Sequence, residues 1–141
     1  MREILVQDWW PLLGKPAAPI VLALVAVLCG ALVGTERERK EKPAGLRTLV
    51  LVCLGSATFT MVSFVFTTTT GDSGRVAAQI VTGIGFLGAG VILHGASGVS
   101  GTTTAATVWM TAATGMTVGA GYAPAGIALS LLTRLALTGI H

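Results

Sequence analysis

The stretch from Asp72 to Gly90 reads DSGRVAAQIVTGIGFLGAG, and it decides which class of fold this chain adopts. Its two charges, Asp72 and Arg75, stand at its beginning, and the next charged residue is Arg134. A soluble domain cannot easily leave the intervening 58 residues without Asp, Glu, Lys or Arg. A membrane domain can, because a charged side chain at the bilayer centre costs about 2.5–3.5 kcal/mol.

The composition of the whole chain supports the same interpretation. Of the 141 residues, 52% are hydrophobic and 11% are charged, whereas soluble domains carry about 25% charged residues. The 19 glycines and the low aromatic content of 6% are typical of closely packed transmembrane helices and not of a β-barrel. The sequence therefore predicts an all-α membrane protein, a bundle of about five transmembrane helices.

Five apolar segments, the last shorter than the others, are the predicted spans of a single domain. They cover residues 16–35, 46–66, 76–95, 102–120 and 125–140. Residues 1–15 mix charge with the pair Trp9-Trp10, a composition that could form an interfacial helix. The loop from Glu36 to Gly45 and Arg47 together hold five Lys or Arg residues, which predicts a cytoplasmic loop. Five spans then place the N-terminus outside and the C-terminus in the cytoplasm.

Small residues mark the faces on which these helices are predicted to pack. The predicted packing glycines are Gly30 and Gly34 in the first span, Gly83, Gly85, Gly88 and Gly90 in the third, and Gly115 and Gly119 in the fourth. Their partners would be other helices of the chain, a second copy, or another membrane protein. The third-span glycines also predict a bendable or interrupted helix, since each costs about 1 kcal/mol relative to Ala.

Two stripes of hydroxyl groups allow two interpretations. On the second span, Ser56, Thr60, Ser63 and Thr67 share one face with Cys53, and on the fourth, Thr104, Thr107, Thr111 and Thr114 share one face. Such a stripe either hydrogen-bonds within a packed helix pair or lines a polar path.

The charged residues near the span ends are candidates for a functional role. Asp72 and Arg75 at i, i+3 can form a capping ion pair at the outer surface, or Asp72 can attract a cation at a cavity mouth. Asp72 is thus the candidate metal ligand, although a single carboxylate supplies only one of the several ligands that Mg²⁺ needs. Glu36 is either a solvated loop residue or the partner of Arg47 in a buried ion pair that ties the first two spans.

The sequence predicts neither an enzyme nor a bound cofactor. It has no Ser/His/Asp set, no metal-ligand pair at helical spacing and no phosphate-binding loop. The Gly-x-Gly-x-x-Gly that begins at Gly83 lacks the preceding strand of a dinucleotide site. Acidic residues alternate with the basic residues of the charged loop, so a nucleic-acid partner is not indicated either.

Several of these motifs resemble the transmembrane domain of the MgtC/SapB family of bacterial inner-membrane proteins. The resemblance runs from about Gly30 to Tyr122. It is carried by Glu36-Arg37-Glu38-Arg39, Lys42 to Thr48, Leu49 to Gly55, Asp72, the stretch from Arg75 to Ile92, Gly101, Thr103 to Ala106, Trp109, Ala112-Ala113, Gly115, Gly119 and Gly121. The sequence departs from the family pattern at Ser100, where a basic residue is expected, and at Thr102, where Leu is usual. Many members also carry a soluble cytoplasmic domain after the fifth span, whereas this sequence ends at His141.

The resemblance implies a multi-spanning inner-membrane protein linked to growth at low magnesium, to virulence and to inhibition of ATP synthase. It implies functional roles for Glu36, Arg39, Arg47, Asp72, Arg75 and Thr103. We expect a regulator or auxiliary factor in magnesium or cation homeostasis, with the lipid bilayer, a second copy, ATP synthase or a cation transporter as partners. The competing hypotheses are a cation transporter lined by the hydroxyl stripes and a purely structural homo-oligomer.

Overall fold

Five helices make up the architecture in the computed structural model, which describes residues 17–66, 72, 74–95 and 98–139. They are α1 (Ala18–Arg39), α2 (Leu46–Phe66), α3 (Gly74–Gly90), α4 (Thr102–Gly119) and α5 (Ala123–Gly139). A short antiparallel hairpin of β1 (Leu93–Gly95) and β2 (Gly98–Ser100) joins α3 to α4. The predicted interfacial segment 1–15, Thr67 to Gly71 of the predicted polar turn, and His141 lie outside the described residues.

The distribution of side chains confirms the predicted all-α membrane fold. Ala18–Arg39 and Leu46–Phe64 are long and apolar enough to cross a membrane. Large apolar side chains point outward: Leu28, Phe59 and Leu135 are each more than 60% exposed. The buried positions carry small residues instead, among them Ala26, Cys29, Cys53 and Ala57. Lipid as the surrounding solvent explains this arrangement, because apolar surface costs nothing there and small residues let helices approach.

Successive helices alternate in direction, and α5 returns to lie beside α1. Gly30 of α1 faces Leu49 of α2 while Gly34 faces Leu46, so these two helices are antiparallel. Helices α1 and α5 run parallel, since Arg134 contacts Leu32 and, further along both, Lys40 contacts Leu137. The ends of α1, α3 and α5 and the beginnings of α2 and α4 therefore gather on one side. We call this the charged end, defined by residues 36–42, Arg47 and Arg134.

Two predicted boundaries are wrong in ways that matter for the site. The third span was expected to be helical over residues 76–95, but α3 ends at Gly90 and the hairpin follows. Gly98 and Gly101 turn the chain there with φ of 113° and 85°, values that favour glycine. At the other boundary, α1 continues to Arg39 instead of ending near residue 35. Glu36 is therefore a helical residue and not part of a loop.

Candidate functional site

Helix α1 crosses α2 at two of the predicted packing glycines. A Cβ on Gly30 would lie 2.7 Å from the Leu49 carbonyl oxygen, and a Cβ on Gly34 would lie 2.7 Å from the Leu46 Cα. Both distances are shorter than real Cβ contacts allow. The two backbones can approach this closely only because the side chains are absent.

Helix α4 crosses α2 in the same manner. Gly115 lies against the Cys53 carbonyl oxygen and Gly119 against the Ala57 carbonyl oxygen, with no room for a Cβ at either position. Gly88 meets Ala105 at an ordinary van der Waals distance of 3.7 Å from its notional Cβ. Close backbone contacts thus hold α2 against both α1 and α4.

The remaining predicted packing glycines lie on parts of α3 that no other described helix covers. Within the described part of the chain, Gly83, Gly85 and Gly90 have no neighbouring atom within 4 Å of a notional Cβ. All three positions are exposed. A packing role for them would need a second chain, and it stays a prediction.

The hydroxyl stripes are buried where α2 and α4 meet the rest of the bundle. Thr107, Thr111 and Thr114 each donate a hydrogen bond to the carbonyl four residues earlier, at 2.7, 2.8 and 3.0 Å. On α2, Thr60 donates to the Ser56 carbonyl at 2.8 Å. These hydroxyl groups donate to carbonyls of their own helices, and the side chains that carry them are buried between packed helices.

Two consecutive charged residues are buried at the charged end. Glu36 and Arg37 are each 4% exposed. The Arg37 guanidinium donates from Nη2 to the Thr104 hydroxyl at 2.6 Å, which joins the last turn of α1 to the first turn of α4. The Glu36 carboxylate oxygen Oε1 lies 2.8 Å from Lys40 Nζ, one turn further along α1. A charge removed from water costs several kcal/mol unless it is paired and hydrogen-bonded, so this geometry is energetically demanding.

Charged side chains at the same end also hold α5 against α1. Arg134 Nη1 donates to the Leu32 carbonyl at 3.0 Å, and Lys40 Nζ donates to the Leu137 carbonyl at 2.9 Å. Nearby, the Glu38 carboxylate accepts the Leu46 N–H at 2.8 Å and so caps the start of α2. Four helices therefore meet around charged side chains of α1 and α5.

Three buried atoms of this cluster form no hydrogen bond among the described residues: Glu36 Oε1, Glu36 Oε2 and Arg37 Nε. Of these, Glu36 Oε1 has the ion pair with Lys40. Partly satisfied charges inside a membrane protein are expensive, and where they occur they are a hypothesis of function. The cluster of Glu36, Arg37, Lys40, Thr104 and Arg134 is therefore the candidate functional site, and we call it the polar cluster.

The sequence-predicted site residues at the charged end differ in their burial. Glu36 is buried, but Arg39, Arg47 and Thr103 are exposed. Both predicted alternatives for Glu36 are wrong: it is neither a solvated loop residue nor the partner of Arg47, because it is buried in α1 and pairs with Lys40 at i, i+4.

Sequence reasoning missed Arg37 as a site residue and placed Thr104 only in a hydroxyl stripe. The signal was present: Arg37 follows Gly30 by seven residues and so lies on the same helical face as that packing glycine.

The opposite end of the bundle holds Asp72 and Arg75. Both are exposed, and Asp72 Oδ1 accepts the Gly74 N–H at 2.8 Å beside the start of α3. Of the two alternatives for Asp72, the ion pair with Arg75 is not found in the part of the chain that the structure describes; the Arg75 backbone N–H donates to the Asp72 carbonyl instead, at 3.3 Å. Among the described residues, no three His, Cys, Asp or Glu side chains come together as a metal site. A metal role for Asp72 therefore stays a prediction.

Comparisons with known proteins agree on one family. A family model described as the MgtC family matches residues 23–141. The Escherichia coli K12 protein named "Putative magnesium transporter YhiD" is 46% identical over 129 residues, covering 86% of this chain and 60% of that protein. Protein MgtC of Salmonella typhimurium LT2 is 46% identical over 113 residues, covering 80% of this chain and 48% of the relative. Protein MgtC of Brucella abortus is 50% identical over 110 residues, covering 76% and 45%. The chain thus spans about half the length of these curated relatives. No solved structure matches it.

Proposed function

The chain belongs to the MgtC family, and on that premise we propose that it is a regulator or auxiliary factor in magnesium and cation homeostasis at the bacterial inner membrane. It acts by helix–helix contact with a partner and does not itself conduct ions. The name of the Escherichia coli relative supports the link to magnesium. Roles in growth at low magnesium and in virulence belong to this proposal, and so does inhibition of ATP synthase.

The closed interior of the bundle is the observation that carries this proposal. Backbone contacts at Gly115 and Gly119 seal α4 onto α2, and Thr107 and Thr111 bond to carbonyls of their own helix. These contacts support an interior in which α2 and α4 are packed against each other and do not line a path for ions. An ion crossing the membrane needs oxygen ligands or water along its way. A regulator that binds other helices needs neither.

The proposed topology is multi-pass, with the N-terminus outside and the charged end in the cytoplasm. The charged end carries six of the nine Lys and Arg residues of the chain: Arg37, Arg39, Lys40, Lys42, Arg47 and Arg134. Basic residues are retained on the cytoplasmic side of inner-membrane proteins. The alternation of helix direction supports the same topology.

The partners we propose are ATP synthase, a cation transporter or a second copy of this chain. The exposed face of α3 that carries Gly85 supports an intermolecular contact, because no described atom lies within 4 Å of a notional Cβ at that position. In lipid, such surfaces gain van der Waals contact when another helix packs on them.

A cavity near the end opposite the charged end favours a second candidate, a cation transporter. It has a volume of about 370 Å³ and is lined in part by Thr60, Ser63, Thr117 and Tyr122. Gly74, next to the hydrogen-bonded Asp72 side chain, lies at its edge. Such a cavity could receive a hydrated cation from the outer side.

Two measurements on the same protein separate the two candidates. The first is growth at limiting magnesium of a strain that lacks its own copy and expresses either wild type or Asp72→Asn. The second is Mg²⁺ flux into proteoliposomes containing the purified protein. The proposal predicts restored growth and no flux above that of empty vesicles. Flux that Asp72→Asn abolishes would establish transport and overturn the regulator.

A further inference from the structure

A groove between α2 and α3 opens along the lipid-facing side of the bundle. Its volume is about 670 Å³, and it extends on α2 from Arg47 to Phe59 and on α3 from Val76 to Leu87. Helix α3 has only Ile84 and Gly88 buried, and Gly88 lies against Ala105 of α4. Because α3 packs on α4 through these residues, the face of α3 that carries Gly83 is separated from α2 by the groove.

Two glycines widen the groove. Gly55 on α2 and Gly83 on α3 both line it, and neither has a described atom within 4 Å of a notional Cβ. The other lining residues are mostly apolar, and two of them, Leu51 and Phe59, are 67% and 63% exposed. The groove therefore offers hydrocarbon contact along most of its length.

The length of the groove suits one hydrocarbon chain. From Arg47 to Phe59 a helix rises about 18 Å, at 1.5 Å per residue. This length slightly exceeds one leaflet, since a bilayer core is about 30 Å thick. A transmembrane helix needs about 20 residues to cross the whole core, so the groove is too short to hold one over its full length.

Charge is concentrated at one mouth of the groove. Arg47 is exposed there, at the charged end, with the Thr48 hydroxyl beside it. The charged end carries six Lys or Arg residues and the three acidic residues Glu36, Glu38 and Glu41, so it is net positive. A guanidinium matches the geometry of a phosphate, and basic pockets between membrane helices on the cytoplasmic side bind anionic head groups.

We propose that this groove is a binding site for an anionic phospholipid. One acyl chain lies between α2 and α3 over Gly55 and Gly83, and the phosphate sits on Arg47. The site gives the exposed Arg47 a role in binding phosphate, whereas the predicted pairing of Arg47 with Glu36 is not formed. It goes beyond the proposed regulatory function and does not depend on it.

Lipid retention by the purified protein tests the site. Native mass spectrometry from detergent would compare phosphatidylglycerol with phosphatidylcholine of identical acyl chains. We expect preferential retention of phosphatidylglycerol. Arg47→Gln should reduce it about fivefold, the value of one basic contact to an anionic lipid. Gly83→Leu should reduce binding of both lipids by filling the groove, and its open surroundings allow the helix to form.

Matched variants control for charge and for bulk. Arg75→Gln removes a charge at the opposite end, and Gly85→Leu adds the same bulk on α3 about 200° around the helix from Gly83, outside the groove lining. Both should retain phosphatidylglycerol as wild type does, with unchanged size-exclusion profiles for all four variants. Equal retention of the two lipids by wild type would overturn the proposal. So would undiminished binding by Arg47→Gln or by Gly83→Leu. A disulfide-linked dimer of Gly83→Cys in nanodiscs containing phosphatidylglycerol would assign the groove to a second copy and equally overturn it.

Discussion

Helices α3 and α4 both carry spaced glycines, yet the structure uses the two sets in opposite ways. On α4, Gly115 and Gly119 meet backbone atoms of α2 and leave no room for a Cβ. On α3, Gly83 and Gly85 face open space. The difference shows that a stripe of small residues indicates only that a close approach is permitted. Whether the approach occurs inside the chain depends on which helix stands opposite.

The largest expected effect comes from adding bulk at the α2–α4 crossing. Gly115→Leu forces apart two backbones that are in contact, and overpacking of this kind costs about 3 kcal/mol or more. Its matched control, Gly85→Leu, adds the same side chain where nothing lies within 4 Å. Unfolding in mixed detergent micelles measures both. Equal stability of the two variants would remove the contrast between the helices.

The next effect concerns neighbouring threonines at the start of α4. Thr104→Val takes the hydroxyl partner from the buried Arg37 guanidinium and should destabilise the protein by about 2 kcal/mol. Thr103→Val changes an exposed side chain and should stay within about 0.5 kcal/mol of wild type. Comparable losses from both, in the same unfolding assay, would argue against a structural role for the Arg37–Thr104 hydrogen bond.

A smaller loss is expected when the buried carboxylate loses its cation. Lys40→Met leaves Glu36 without its ion pair and removes a donor from the Leu137 carbonyl. Solvent screens the 41% exposed Lys40 side chain, but Glu36 is 4% exposed and keeps no partner, so the expected cost is about 1–2 kcal/mol. Lys42→Met removes an exposed charge from the same loop as a control. If the Lys40→Met variant unfolds with the same free energy as wild type, groups other than Lys40 stabilise Glu36.

The smallest expected change has the opposite sign. Gly85→Ala should stabilise the protein by up to about 1 kcal/mol, since Ala favours the helix and has room there. Gly119→Ala should instead destabilise it, because its Cβ would meet the Ala57 carbonyl.

If α3 binds a partner, Gly85→Leu should preserve stability while impairing growth at limiting magnesium. Full growth of the Gly85→Leu strain would exclude this part of α3 from the partner contact.

Sequence reasoning identified the end of the molecule where the site lies but not the residues that form it. The run from Glu36 to Lys42 was identified as the charged segment, yet the buried members are Glu36 and Arg37, while Arg39 is exposed. Likewise the expected Thr103 is exposed, and Thr104 beside it bonds to Arg37. One residue along a helix rotates the side chain by about 100°, so an error of one position moves it to another face.

The sequence by itself determined the solvent and the elements. Lipid surroundings, helical spans near residues 46–66 and 102–120, and a basic end all follow from composition within windows of about 20 residues. Hydrophobicity and charge act locally, so the lipid environment and the helical spans can be predicted without knowledge of the tertiary structure.

Only the tertiary structure decided which faces meet. It buried Arg37 and paired Glu36 with Lys40, and it closed the α4 glycines on α2. It also left the α3 glycines bare beside a groove that begins at Arg47. These outcomes depend on helix rotation and on neighbours far apart in the chain, and van der Waals contact between distant segments sets both.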